Sequence, residues 1–192
     1  MSYGDRARGA HVTGADVTDS DLPRLIDGGA PATPDELLRR LAALGISAET
    51  VSHRPVFTVE EAKAHRGQLS GAHTKNLFVR DKKGVMWLVV AIESQVVHLN
   101  ALAESLGHKR FSFGSAERLM GYLGVIPGAV TPFAVINDHR GVVRVALDSA
   151  LSEHEVWNFH PLDNAMTTTI GAADMVRFLE DVGHPPHWVT LG

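Results

Sequence analysis

Thr74-Lys75-Asn76-Leu77-Phe78-Val79-Arg80, Asp81-Lys82-Lys83-Gly84 and Val85-Met86-Trp87-Leu88-Val89-Val90-Ala91-Ile92 follow one another without interruption, and they read as strand, turn, strand. The segment 85–92 is apolar throughout, which marks a strand buried on both faces. Asp, Lys and Gly between two such runs supply hairpin turn chemistry. A buried hairpin needs more sheet and covering helices, so the rest of the chain is read outward from it.

Upstream, Thr33, Pro34 and Glu36 form a capping box with proline at the first helical position. Leu37, Leu38, Leu41 and Leu44 then share one helix face, and Gly45 ends the helix. Residues 47–52 read as a short strand. Thr58 and Glu61 repeat the capping pattern for a second helix to about His65, and 67–71 is a loop. Downstream, 99–106 reads as a helix stopped at Gly107. Ser115 caps another, which runs to Leu123 and stops at Gly124.

Residues 125–132 form a loop with Pro127, Gly128 and Pro132. Residues 133–137 and 142–147 read as a second hairpin around 138–141. Strands follow at 155–159 and 166–170, then a helix at 172–182, and Pro185–Pro186 cannot continue it. Two hairpins exclude a regular βαβ repeat. The expected fold is mixed α/β: one domain over 32–183, with a mixed sheet of about six or seven strands wrapped by helices. Residues 1–30, rich in Gly, Asp and Ser without apolar periodicity, read as a mobile extension, and 184–192 as a tail.

Composition limits the chemistry. The 192 residues contain no cysteine, so disulfides, thiolate metal sites and cysteine nucleophiles are excluded. The N-terminus lacks a signal peptide's apolar stretch, and the longest apolar run is too short to span a bilayer. A soluble, cytoplasmic protein without a membrane partner is expected. The net charge of −4 argues at first against nucleic acid, but residues 31–147 carry 14 bases and 10 acids. A local basic face can therefore sit on an acidic protein. There is no Walker loop, GxSxG elbow, HExxH or helix-turn-helix pattern, and DNA is not an expected partner. His184 and His187 lie in the Pro-rich tail with no evident third ligand, so no metal and no cofactor are expected.

Three segments stand out. Lys75 lies just inside an apolar strand, where an ammonium is costly without a partner. It either snorkels or pairs with a carboxylate, or it offers its charge in a cleft to a phosphate or a developing oxyanion. The segment from Gly124 to Pro132 is either a plain helix-to-strand connector or a stiff loop presenting amides to a ligand. In Asn158-Phe159-His160-Pro161, His160 ends a strand, either packed or projecting into a cleft.

Together, Lys75-Asn76-Leu77-Phe78, the Pro127-Gly128 loop and Asn158-Phe159-His160-Pro161 resemble the YbaK-like family of aminoacyl-tRNA editing domains. These domains occur inserted in bacterial prolyl-tRNA synthetase and as free-standing trans-editing proteins. The resemblance covers about residues 32–183 and is greatest to the free-standing alanine-specific branch, the ProX or PrdX type. It implies a hydrolase that removes alanine from mischarged proline tRNA by substrate-assisted ester hydrolysis, without metal or covalent intermediate. The related cysteine-specific branch shares the lysine and the loop, so cysteine or serine stays open, as does a non-catalytic module that binds tRNA or a synthetase.

On that resemblance Lys75 and Asn76, with the backbone amides of Gly128 and Ala129, would hold the reacting ester and the terminal adenosine. An ordinary lysine amine, with a pKa of about 10.4, is a poor base at neutral pH, so a cationic role is expected. His160 would shape a compact amino-acid pocket that excludes proline, with Asn158, Gly124, Pro127 and Pro132 around it. Arg80, Lys82, Lys109 and Arg110 are the candidate tRNA contacts. Partners would be the mischarged tRNA and, transiently, prolyl-tRNA synthetase or an elongation factor. With no exposed apolar stripe evident, a monomer is expected.

Overall fold

The computed structural model describes residues 23–54 and 70–191. Among these, the elements in order are α1 (Pro34–Ala43), β1 (Ala48–Ser52), β2 (Ala72–Arg80), β3 (Met86–Ile92), α2 (Leu99–Ser105), β4 (Ser112–Phe113) and α3 (Ala116–Leu123). A 3-10 helix (Pro132–Asn137), β5 (Val143–Asp148), a second 3-10 helix (Ser149–Glu153), β6 (Val156–Phe159), β7 (Met166–Gly171), α4 (Ala172–Asp181) and β8 (His187–Val189) follow.

The eight strands form one mixed sheet in the order β1-β7-β6-β2-β3-β5-β8, with β4 paired to β2 off that path. The expected mixed α/β fold is the one found, with β4 and β8 added to the strands read from the sequence. β3 is central and buried on both faces because both are covered. Met86, Leu88 and Val90 join one core cluster, and Trp87 and Val89 join the other. The first cluster packs under α1, α3 and α4 through Leu37, Leu41, Leu119, Leu123, Met175, Phe178 and Leu179. The second packs under α2 through Leu102 and Ala103.

α1 forms as its sequence dictates. The Thr33 hydroxyl accepts from Glu36 N–H, and the Glu36 carboxylate accepts from Thr33 N–H at 2.8 Å. These bonds satisfy orphan donors of the first turn. Leu37 and Leu41, one turn apart, are both buried, each stabilising the packed state by about 2 kcal/mol. Arg40 pairs with Asp181, and Arg177 donates to Leu44 O at 2.8 Å, so α1 and α4 lie side by side.

Three expectations change. Residues 133–137 form a 3-10 helix, not a strand. Pro132 lacks a ladder donor and suits the first helical position, and the Thr131 hydroxyl caps Phe133 N–H. Phe133, Ala134 and Val135 are all buried, and a short continuous apolar run does not distinguish a buried helix from a strand. The expected second hairpin is therefore a helix-turn-strand unit.

The packed body also passes both expected boundaries. Residues 23–30, read with the extension, make a turn against α3: Leu25 is only 6% exposed and Ile26 N–H donates to Gly121 O at 2.7 Å. In the tail, β8 pairs in parallel with β5. The second expected helix, at Thr58 to His65, and most of the loop after it lie outside the described residues, as do residues 1–22. Among the described residues, no helix is long and apolar enough to cross a membrane.

Candidate functional site

The site follows from how β2 is paired. Along one side β2 runs antiparallel to β3 over its length from Thr74 to Arg80. Along the other side it meets β6 in parallel only at Ala72 and His73, and β4 only at Val79 and Arg80. Between these contacts the edge at Lys75–Leu77 has no strand partner among the described residues. Phe78 O, on this side, accepts from Gly114 N–H at 2.9 Å, while His73 O and Asp81 N–H bond toward β3. The strand's alternation therefore aims the Asn76 N–H and C=O into the gap.

β6 and β2 start their gap at a close approach. Gly71 has φ +98, and a Cβ there would lie 2.6 Å from Val156 O, so only glycine fits. The parallel register sets His73 against Asn158, and β6 ends one residue later at Phe159, so His160 follows the strand where its pairing with β2 has already stopped. His160 is held by Nδ1–H donating to Met166 O at 2.8 Å. The His53 ring, absent from the residues expected at the site, sits 6.2 Å from the His160 ring, and its Nε2 bonds Thr167 Oγ1 at 2.9 Å. A lone histidine at a strand end carries no motif by which it could have been found.

Lys75 and Asn76 point to opposite faces of β2. Lys75 lies on the face of Leu77 and Val79, and its Nζ donates to Gln95 O. Asn76 Nδ2 donates to Val130 O at 2.9 Å, while Asn76 Oδ1 is buried without a partner. Asn76 thus ties the Gly124–Pro132 loop to the gap and keeps one acceptor unused.

Other candidates sort by what their polar atoms already do. Asn158, expected to bind substrate, is a strand tie. Its Nδ2 donates to Ser70 O at 2.9 Å, and its Oδ1 accepts from Thr169 Oγ1 at 2.7 Å. Ala129, expected to offer its amide, is buried and donates that N–H to Ile126 O at 3.0 Å. Gly128 and Pro127 are exposed at the tip of the same turn. Pro132 is buried as the first residue of the 3-10 helix. Gly124 is the left-handed cap of α3, where a Cβ would lie 2.7 Å from Asn137 Nδ2. Its role is to let the loop leave α3 closely packed.

The basic candidates gather at the far end of β2. Asp81 Oδ1 accepts from Lys83 N–H at 2.8 Å and Val85 N–H at 2.9 Å, closing the β2–β3 turn. Its Oδ2 accepts from His108 Nδ1 at 2.9 Å. Trp87 Nε1–H donates to His108 Nε2 at 3.2 Å, and since an indole nitrogen only donates, the ring proton sits on Nδ1. Burial works to raise the Asp81 carboxyl, but the Val85 amide, the His108 ring and the Lys83 amide outweigh it and hold it below the ordinary carboxylate range. This junction brings Arg80, Lys82 and Lys83 to the same end as Lys109 and Arg110; Arg80 is half-buried and the other four are exposed. Phe113, 61% exposed on β4, stands between this end and the gap.

Among the described residues, no group of three His, Asp or Glu is placed to hold a metal ion. His184 is buried, with Nδ1 against Val143 O at 2.9 Å and Nε2 against Asp138 O at 3.0 Å. His187 packs edge-on to Trp87 at 5.1 Å.

Comparison with known proteins agrees with this architecture. A family model described as the aminoacyl-tRNA editing domain matches residues 53–178. The chain is 42% identical over 155 residues to a bovine (Bos taurus) protein called prolyl-tRNA synthetase associated domain-containing protein 1, covering 78% of this chain and 90% of that one. It is 34% identical over 149 residues to the prolyl-tRNA editing protein ProX of Acetoanaerobium sticklandii, covering 77% and 91%. A crystal structure described as a candidate trans-editing enzyme for prolyl tRNA synthetase superposes with a TM-score of 0.63 at 16% identity, covering 85% of this chain and all of that one; at that identity it shows the shared fold. The chain belongs to the aminoacyl-tRNA editing domain family.

Proposed function

We propose that the protein is a trans-editing hydrolase that removes alanine from mischarged proline tRNA. The observation that supports the reading is the stretch of the β2 edge at Lys75–Leu77 that no strand pairs among the described residues, which the reading takes as the substrate cleft with His160 at its border. The similarity to ProX supports proline tRNA as the carrier and alanine as the first substrate to test.

An aminoacyl ester on the terminal ribose is already activated, so positioning water and stabilising the tetrahedral oxyanion suffices. Water adds to the carbonyl carbon, the vicinal ribose hydroxyl orienting it, and the ester C–O bond then breaks. The proton lost from water reaches the ribose oxygen, which leaves as a hydroxyl with the free amino acid. Lys75 supplies positive charge to the terminal phosphate or the ester. Asn76 offers its backbone N–H and its unpartnered Oδ1, which suits a substrate ammonium group. The Gly128 amide, at the loop tip, serves the oxyanion in place of the engaged Ala129 amide.

His160, fixed through Met166 O, bounds the amino-acid pocket and excludes the larger proline ring. Arg80, Lys82, Lys109 and Arg110 contact tRNA phosphates. Phe113 offers a ring on which an unpaired 3′ base can stack.

The test is deacylation of proline tRNA charged with alanine, cysteine, serine or proline. Selective loss of alanine supports the reading. Selective loss of cysteine or serine moves the specificity while keeping the reaction. No cleavage of any ester leaves a module that binds tRNA or a synthetase without catalysis.

A further inference from the structure

Asp148 ends β5 with its carboxylate buried. The residue is 2% exposed, Oδ1 accepts only from Ala150 N–H at 3.3 Å, and Oδ2 has no partner. A buried carboxylate oxygen left unpaired is costly, and such groups are normally matched by a cation or a donor.

The sheet register shows where a cation comes from. Lys75 pairs with Ala91 on β3. Val90 pairs with Leu147 on β5, so Ala91 and Asp148 stand one step further along the same row. Asp148 in turn pairs with Val189 on β8. Lys75, Ala91, Asp148 and Val189 therefore form one row across four strands. The face is settled by neighbours: Val79, Val89, Ala146 and Val189 all belong to the second core cluster, and Lys75 and Asp148 are an even number of residues from Val79 and Ala146.

Two strand spacings separate Lys75 from Asp148, about 10 Å between backbones. The residue between them is alanine, wholly buried, whose single methyl group rises least above the sheet of any side chain that could stand there. The Lys75 ammonium is already turned this way, donating to Gln95 O. Gln95 Nε2 donates to Leu191 O at 3.2 Å, just beyond β8, so this neighbourhood is continuous with Asp148. An ammonium has three donors, and Gln95 takes one.

We infer that Asp148 is the counter-charge of Lys75, a positioning residue that reaches it across Ala91, directly or through one water, and holds the resting lysine charged over β3, on the side of β2 away from the gap. The pairing itself stands on the register and the buried carboxylate. Its catalytic consequence rests on the editing function proposed above. Both alternatives posed by the lysine in the sequence, pairing with a carboxylate and presenting charge in a cleft, then apply to one side chain.

The experiment compares wild type with Asp148→Asn, which keeps shape and removes charge. Trace acetylation at pH 8, read by peptide mass spectrometry, gives the labelling rate of Lys75 relative to Lys82 and Lys83 in the same molecule. Loss of the counter-charge should raise the relative rate of Lys75 about fivefold or more, because the amine loses the partner that occupies it and becomes open to the reagent. An unchanged ratio overturns the pairing. Deacylation of alanyl-tRNA(Pro) should fall about tenfold or more in kcat with little change in KM, and Asp148→Glu should recover part of it.

If Asp148→Asn does not fold, the double variant with Lys75→Met decides. Removing both charges should restore folding, whereas a double variant as unstable as Asp148→Asn alone overturns the pairing. Should wild type cleave no ester while the labelling ratio shifts, the pairing stands and the editing reading fails. Cleavage with an unshifted ratio has the opposite meaning.

Discussion

Asp81 accepts a hydrogen bond from His108 at 2.9 Å, and this bond joins the β2–β3 turn to the segment entering β4. It sets the Lys82–Lys83 pair beside Lys109–Arg110. The carboxylate is held below its ordinary range by amide and imidazole donors that outweigh burial. Glu36 is lowered as well, first by the Thr33 backbone amide and then by the Thr33 hydroxyl. A carboxyl lowered in the folded state stabilises the fold above its unfolded value, about 4, and loses that contribution as pH falls through the folded value. Urea midpoints should therefore hold between pH 7 and 5 as far as these two groups are concerned and drop below about pH 4. Asp81→Asn should flatten that acid limb. An acid limb identical in Asp81→Asn and wild type would show that the bond to His108 does not contribute.

The same junction bears on tRNA binding. Neutralising Arg80 and Arg110 together (both to Gln) should weaken binding of proline tRNA. It should also reduce the slope of log affinity against log salt by about one for each phosphate that the variant no longer neutralises. Filter binding across a salt series reads both quantities. Unchanged affinity and slope would place the RNA on another face.

His160 is anchored through Met166 O, and on the proposed pocket role His160→Ala should enlarge the pocket while leaving β6 in place. The expected result is measurable hydrolysis of correctly charged prolyl-tRNA(Pro) together with slower alanine release. Size exclusion of this kind protects against larger side chains, so discrimination between alanine and proline is the quantity to measure. A His160→Ala enzyme that still spares proline contradicts the pocket role.

The capping box gives a stability test free of the site. Thr33→Ala removes the side-chain acceptor of Glu36 N–H and should lower unfolding free energy by about 1 kcal/mol, read by chemical denaturation, with editing activity retained. Gly71→Ala should be worse for both fold and activity. Its Cβ would meet backbone at Val156, which cannot move without shifting the β2–β6 approach that opens the gap.

Much of this was legible in the residues. The β2–β3 hairpin, α1 with its cap, and α3 with Ser115 and Gly124 at its ends carry local signals, namely period, cap and turn chemistry, that do not depend on distant contacts. The 3-10 helix at Pro132–Asn137 was hidden because its apolar residues are buried without periodicity. β8 was hidden because three residues after two prolines make a strand only when β5 offers an edge.

The site was legible as residue types and less so as geometry. Lys75 and Asn76 do lie on the stretch of β2 that no strand pairs among the described residues. That Asn158 is a strand tie, that the Ala129 amide is already engaged, and that Lys75 and Asn76 face opposite ways all depend on pairing register, which long-range partners set. His53 and Asp148 lie beyond local reading for the same reason, since each acquires meaning from a strand more than fifty residues away.

The central claim is tested most directly by following alanyl-tRNA(Pro) and prolyl-tRNA(Pro) side by side with wild type and Lys75→Ala. The account predicts rapid loss of alanine, retention of proline, and loss of the alanine reaction in the lysine variant. Alanine release that persists at the wild-type rate in Lys75→Ala, or no release by wild type above the uncatalysed rate, would contradict it.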